Sequence, residues 1–192
     1  MIKKYLNRVA VFKKYGYDMM KAREFVLDKA GIKGGKVLEV GTGKGHTAIG
    51  LAKRGINFIT IDLDKEALRS SRGLLKSLGL LKFAKIKKMN AEELCFKDEA
   101  FDHVISVNFI HHAKNPKKCI REMLRVAKKS VVIVDLNKRG EAIMEKVHRL
   151  DGNVHEKSKM PLFEMRDYLK KNSYQVKSYK DACQTVSIAK KG

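Results

Sequence analysis

Apolar residues recur along this chain in two alternating periods. At the start, Ile2, Tyr5, Leu6, Val9 and Ala10 fall on one face of a helix over residues 1–14. Asp18 is placed to open a second helix, with Ala22, Phe25, Val26 and Ala30 turned inward and Gly31 as its stop. A short apolar strand follows at 36–40, then a glycine turn, then a helix at 46–54. A strand at 57–61 leads to a helix opened by Asp64, along which Ala67, Leu68, Ser71, Leu75 and Leu78 align. Third and fourth strands are read at 83–89 and 101–107. Asn115 and Pro116 then begin a helix that buries Ile120, Met123, Leu124 and Ala127, before a fifth strand at 130–134.

Strand and helix in strict alternation predict a parallel sheet covered by helices on both faces. The end of the chain breaks the alternation. After helical stretches near 140–149 and 161–171, two adjacent strands at 175–179 and 184–189 are joined by a short turn at Asp181, so one strand must run antiparallel. The expected fold is α/β: a doubly wound, mostly parallel seven-stranded sheet with a reversed C-terminal hairpin strand at its edge. Residues 1–192 read as a single domain, with a helical cap over 1–30 and the sheet core over 34–189.

Composition narrows the function classes. Hydrophobic residues make up 44% of the chain, enough for a core, which excludes a disordered basic tail. The longest aliphatic run, Val131-Val132-Ile133-Val134, is too short for a bilayer, and Asn7 and Arg8 interrupt the basic N-terminus before any signal-peptide core, so no membrane span is expected. Cys95, Cys119 and Cys183 show no CxxC spacing; they argue against a disulfide framework or zinc ribbon and for a cytoplasmic location. Lys and Arg number 42 against 21 acidic residues, a net charge of +21. The cations are scattered, with little aromatic residue among them, so a solvated lysine-rich surface is favoured over a nucleic-acid face.

The chemistry concentrates in Val37-Leu38-Glu39-Val40-Gly41-Thr42-Gly43-Lys44-Gly45-His46. Three glycines at alternate positions between strand and helix let a ligand lie on the main chain. A P-loop requires GxxxxGK[ST], and no Ser or Thr follows Lys44 in register. A dinucleotide loop requires GxGxxG, and here the third glycine, Gly45, comes one residue early. An acid two residues ahead of Gly-x-Gly-x-Gly suits a ligand without pyrophosphate. Asp62 ends the neighbouring strand, where a carboxylate can accept from both ribose hydroxyls of a nucleoside; Asp64 serves the helix cap and leaves Asp62 for the ligand.

These residues resemble the class I S-adenosylmethionine-dependent methyltransferases, in particular the small Rossmann-like enzymes that include the ubiquinone/menaquinone-type methyltransferases. The resemblance is carried by 37–45, 59–64, Met89-Asn90-Ala91-Glu92-Glu93-Leu94 and the fourth-strand segment 101–112 ending in Asn108-Phe109-Ile110-His111-His112. It implies S-adenosyl-L-methionine as cofactor. Glu39 would order the glycine loop and meet the methionine ammonium; Gly41, Thr42 and Gly43 would line the methionyl part; Asp62 would bind the ribose. Leu63 would pack on the adenine, Asn90 and Ala91 would hold its edge, and Asn108 would sit beside the sulfonium with Phe109. Asn90 stands where the family often has Asp. Tyr17 would close over the cofactor, and 1–30 with 139–161 would form lid and acceptor pocket. The implied reaction is in-line methyl transfer to a small-molecule acceptor, with no particular oligomeric state.

Two alternatives stay open: a methyltransferase of RNA or another polyanion, and a non-catalytic nucleoside-binding protein or dinucleotide oxidoreductase. The Asn-Pro-Pro-Tyr type motif of base methylation is absent, since the chain reads Asn108-Phe109-Ile110-His111. His111 and His112 are candidates for a general base, but local packing in the turn after the strand is the favoured reading, so no catalytic residue is assigned. No His/Cys pair shows metal-ligand spacing, and no metal is expected.

Overall fold

The computed structural model describes residues 2–150, 152, 160–172 and 174–191. Two helices, α1 (Ile2–Lys14) and α2 (Met19–Ala30), precede β1 (Val37–Val40), α3 (His46–Lys53), β2 (Phe58–Asp62), α4 (Lys65–Ser77), β3 (Ala84–Lys88), β4 (Phe101–Val107), α5 (Pro116–Val126) and β5 (Ala127–Leu136). The chain continues through α6 (Lys138–Leu150), α7 (Leu162–Lys171), β6 (Tyr174–Lys180) and β7 (Gln184–Lys191). The helix starts follow the local chemistry: Asp18, Asp64 and Asn115 each accept a backbone N–H of the first turn. Gly31 ends α2 in the left-handed region at φ 64°.

The seven strands form one sheet in the order β3-β2-β1-β4-β5-β7-β6. The expected alternation and reversed hairpin strand are both present. One detail differs: the reversed strand is β7, antiparallel to β5 and β6, and it lies inside the sheet, leaving β6 at the edge. Burial explains the choice. Val186, Ile188 and Ala189 of β7 are all within the core, whereas β6 exposes Gln175, Lys177, Ser178 and Lys180 and buries no residue fully, a pattern suited to a sheet edge. The fifth strand is also longer than the 130–134 read from the apolar run; Ala127, expected on the helix, is already its first residue.

Helix α1 corrects a second expectation. Leu6 is 57% exposed and Ala10 is exposed, while Phe12 is 2% exposed. The inward stripe runs through half-buried Ile2, Tyr5 and Val9 to buried Phe12, narrower than the apolar face of the sequence, because α1 packs mainly against α2 and α6.

Side chains alternate across β5: Val131 and Ile133 join the layer under α5 and α7, Val132 and Val134 the layer under α2, α3 and α4. From β1 the chain winds outward to β2 and β3, then returns to β4 and β5 on the other side. The order therefore reverses between β1 and β4, and the crevice beyond their carboxyl ends is where open α/β sheets take ligands.

Gly140, inside α6, touches the β6–β7 turn so closely that a Cβ there would stand 2.0 Å from the Cys183 carbonyl oxygen. Helix propensity alone favours Ala over Gly by about 1 kcal/mol. Contact with fixed backbone outweighs it, so Gly140→Ala is expected to lower stability by about 1–3 kcal/mol in urea denaturation. An unchanged or raised midpoint would contradict this packing.

Candidate functional site

The loop after β1 is held by its neighbour strand. The Gly41 and Thr42 N–H groups both donate to the Ile61 carbonyl, at 2.9 and 3.0 Å. The Gly43 N–H donates to Asp62 Oδ2 at 2.9 Å, and the Asp64 N–H donates to Asp62 Oδ1 at 3.0 Å. Asp62 is therefore not left free by Asp64, as the sequence suggested: it clasps the loop and opens the turn into α4, with carboxylate lone pairs still available to a ligand. Gly41, Gly43 and Gly45 have φ of 85°, 47° and 80°. Gly41 has no alternative residue, because a Cβ would lie 2.4 Å from Phe109 Cγ.

A cleft of about 410 Å³ opens over this loop. Gly41, Thr42, Gly43, Asp62 and Asn108 line it, five of the expected binding residues in one place. Helix α1 contributes Arg8 and Phe12, α2 Met19 and Arg23, and α6 Met144 and His148. These come from the segments expected to form the lid; 151 and 153–159 of that stretch lie outside the described residues.

The other expected residues lie elsewhere. Glu39 is 1% exposed, beneath the loop rather than on the cleft wall. Tyr17 is 1% exposed and sits inside a hydrogen-bond chain rather than over the opening. Its hydroxyl accepts from Asn108 Nδ2 at 3.3 Å and Arg23 Nη1 at 3.4 Å and donates to Gln184 Oε1 at 3.2 Å. Gln184 in turn donates to the Asp181 carboxylate at 2.9 Å, tying the hairpin turn to the cleft. Leu63 is 60% exposed beside Asp62. Ala91 is buried, and Asn90 Oδ1 accepts the Glu92 N–H at 3.0 Å within its own turn.

Asn108 holds φ 53° without being glycine, fixed by its N–H to the Val134 carbonyl at 2.8 Å. Two buried polar atoms flank the Tyr17 hydroxyl without a hydrogen-bond partner among the described residues: the acceptor Asn108 Oδ1 and the donor Arg23 Nε. Burial dominates the site's titration. It pushes the Glu39 carboxyl up to about 7, against the pull of the Thr60 hydroxyl and Arg23. It also pushes the His46 imidazole down to about 3, aided by Arg23, Lys44 and Arg8, so this ring is neutral at physiological pH. Among the described residues, no group of three or more His, Cys, Asp or Glu is placed to hold a metal ion.

Glycine loop and carboxylate thus border one cleft, and comparison with known proteins gives the family. The family model described as a methyltransferase domain matches residues 38–134, half of the chain. The chain belongs to this methyltransferase family. Phosphatidylethanolamine N-methyltransferase of Cereibacter sphaeroides is 33% identical over 105 residues, 55% of this chain and 51% of that protein. The chain thus spans about half the length of that curated relative. Among solved structures, a SAM-dependent methyltransferase from Aquifex aeolicus superimposes with a TM-score of 0.68 at 23% identity, covering 88% of each chain. A [4+2]-cyclase shares the fold with a TM-score of 0.73 at 16% identity, covering 89% of this chain and 80% of its own. The methyltransferase fold therefore hosts more than methyl transfer, and the activity has to be argued from the site. No helix among the described residues is long and apolar enough to cross a membrane.

Arg23, Gln184 and Asp135 were not singled out as site residues in the sequence. Arg23 left a trace: it occupies a helical-period position in the buried stripe Met19, Ala22, Val26, Leu27, Ala30, where a cation is out of place.

A carboxyl whose folded pKa exceeds its unfolded value binds the extra proton only when folded. Glu39 therefore costs nothing below pH 4.5, its free carboxyl value, and its penalty grows up to about pH 7. Glu39→Gln is expected to melt higher than the parent at pH 8, by as much as about 3 kcal/mol, with the difference vanishing near pH 4. Melting curves against pH check this; a constant difference across the range would contradict it.

Proposed function

We propose that this protein transfers a methyl group from S-adenosylmethionine to a small-molecule acceptor bound between the N-terminal helices and α6. The observation that carries the reading is the donor and acceptor left over on either side of the Tyr17 hydroxyl, Arg23 Nε and Asn108 Oδ1, in a cleft floored by the glycine loop. A buried guanidinium and a buried amide oxygen with capacity to spare match the carboxylate and ammonium of one amino-acid group. Thr42 and Gly43 then present main chain to the connecting carbons. Asp62 Oδ1 and Oδ2, already oriented by two backbone donors, accept from the ribose hydroxyls. Leu63, an exposed apolar side chain at the strand end, offers a flat contact to the adenine, with Asn90 and Ala91 at its edge. Glu39 acts from below, through the loop.

The cofactor, when bound, supplies a methyl group on a sulfonium, which is already a good leaving group. The residues of the chain mainly have to hold the acceptor in line with that methyl and keep water out, and orientation of this kind is worth roughly 7–11 kcal/mol. Phe12, Met19 and Met144 give the acceptor side an apolar wall, and Arg8 and His148 give it polar edges. The small-molecule acceptor is supported by the cleft volume of about 410 Å³, within the range of small-ligand clefts.

Calorimetry with S-adenosylhomocysteine is expected to show micromolar binding, and NAD(H) none. Asp62→Ala is expected to weaken it at least 100-fold, about 3 kcal/mol. Arg23→Gln is expected to weaken S-adenosylhomocysteine at least tenfold while leaving 5′-methylthioadenosine, which lacks the amino-acid end, within twofold. Tight NAD binding, or an unchanged Asp62→Ala, would contradict the proposal; equal losses for both ligands in Arg23→Gln would move Arg23 out of the amino-acid subsite.

A further inference from the structure

His111 and Asp135 form a buried pair to which the proposed cofactor contacts give no part. His111 follows β4 in a short turn at Ile110–His112 and lines the cleft, yet is only 3% exposed. Asp135, near the end of β5 and 4% exposed, meets it with Oδ1 at 2.6 Å from the ring Nδ1. The carboxylate is itself aimed: Oδ1 also accepts the Leu136 N–H at 2.8 Å. Parallel pairing of Val107 with Val134 brings the two strand ends side by side, so sheet register sets the contact. Two charge-capable groups have been desolvated together, which costs several kcal/mol unless the pairing is good, and nothing in the packing of an apolar sheet end calls for them.

A carboxylate on Nδ1 fixes the imidazole in one tautomer. The proton then stays on Nδ1 and the lone pair is on Nε2, a nitrogen buried at the cleft wall that a bound acceptor has to reach. The His112 ring lies beside it, tilted by 51° with ring centroids 4.0 Å apart. Base and orienter within hydrogen-bond reach, beside a ligand cleft, is the arrangement of general-base catalysis.

We propose that His111 takes the proton of the methyl acceptor and that Asp135 positions it, so that the substrate is a nucleophile bearing an ionisable proton: a hydroxyl, a thiol or an N–H. The inference rests on the proposed methyl transfer. In the step, a lone pair of the acceptor atom forms the bond to the methyl carbon as the carbon–sulfur bond breaks and its electron pair stays on sulfur. The acceptor's proton passes to His111 Nε2, the imidazolium is held by Asp135, and the proton then leaves to solvent. Cofactor and protonated acceptor become thioether, methylated acceptor and one proton, so atoms and charge balance. Acceptors with no proton to lose, such as tertiary amines and thioethers, leave this pair without a role.

Two measurements test the pair. First, histidine-selective ¹⁵N NMR of the protein saturated with S-adenosylhomocysteine, with His111 assigned by its loss in His111→Gln, is expected to show a neutral ring protonated on Nδ1. A ring protonated on Nε2, or on both nitrogens, at pH 7.5 overturns the assignment, and the tautomer itself is read in the unaltered protein. Second, methyl-labelled cofactor is supplied with a panel of a phenol, an aniline, a thiol, a tertiary amine and a thioether. Labelled product is expected only from the first three. Asp135→Asn is expected to cut that turnover about 100-fold or more, with S-adenosylhomocysteine affinity within twofold. Methylation of the tertiary amine or thioether, no product from any proton-bearing probe, a loss confined to His112→Gln, or an Asp135→Asn rate within threefold each overturns it. Failure to bind S-adenosylhomocysteine at all would instead remove the methyl-transfer reading on which the pair depends.

Discussion

The carboxylate of Asp62 bonds two pieces of backbone at once. One oxygen takes the Gly43 N–H from the turn after β1 and the other takes the Asp64 N–H at the start of α4. A turn with three left-handed glycines has more conformational freedom to lose than any other stretch of the fold, and on its own it would not hold one shape. With this clasp, and with Gly41 and Thr42 donating to Ile61, the loop is read directly off the end of β2. The crevice between β1 and β4 inherits its floor from that contact, and each later feature of the site is measured from that floor.

The opposite wall is organised by polar side chains rather than by backbone. Asp181, Gln184, Arg23, Tyr17 and Asn108 form a continuous chain from the β6–β7 turn to the cleft. Gln184 is wholly buried and Arg23 nearly so, which makes the chain costly unless each member is satisfied. Two of its atoms, Arg23 Nε and Asn108 Oδ1, have no hydrogen-bond partner among the described residues, and both residues line the cleft. The network links a C-terminal hairpin distant in sequence to two residues of the cleft wall.

Much of this was legible in the sequence, and for definite reasons. Helix caps at Asp18, Asp64 and Asn115, the glycine turn and the acid ending β2 are all local signals, set by residues within a few positions of one another. Positions decided by distant partners were not legible. Tyr17 reads as a lid aromatic until Gln184, 167 residues later, is seen to take its hydroxyl. Leu6 and Ala10 read as buried because the apolar face of α1 is wider than the surface it packs against. The hairpin read as a reversed edge because two strands and a turn do not say which of them the sheet will accept; side-chain burial along β7 decided it. Arg23 and Asp135 did leave signals, a cation within an apolar helical stripe and an acid near the carboxyl end of a buried strand, which only the packing turns into site residues.

The central claim is that the loop at 41–45, clasped by Asp62, is where an adenosine-bearing ligand binds. Backbone amide NMR of the ¹⁵N-labelled protein titrated with S-adenosylhomocysteine tests it most directly. The largest shift changes are expected at Gly41, Gly43, Asp62 to Asp64 and Asn108, saturating together with one dissociation constant. Shift changes that saturate elsewhere in the sheet while these amides stay in place would contradict it.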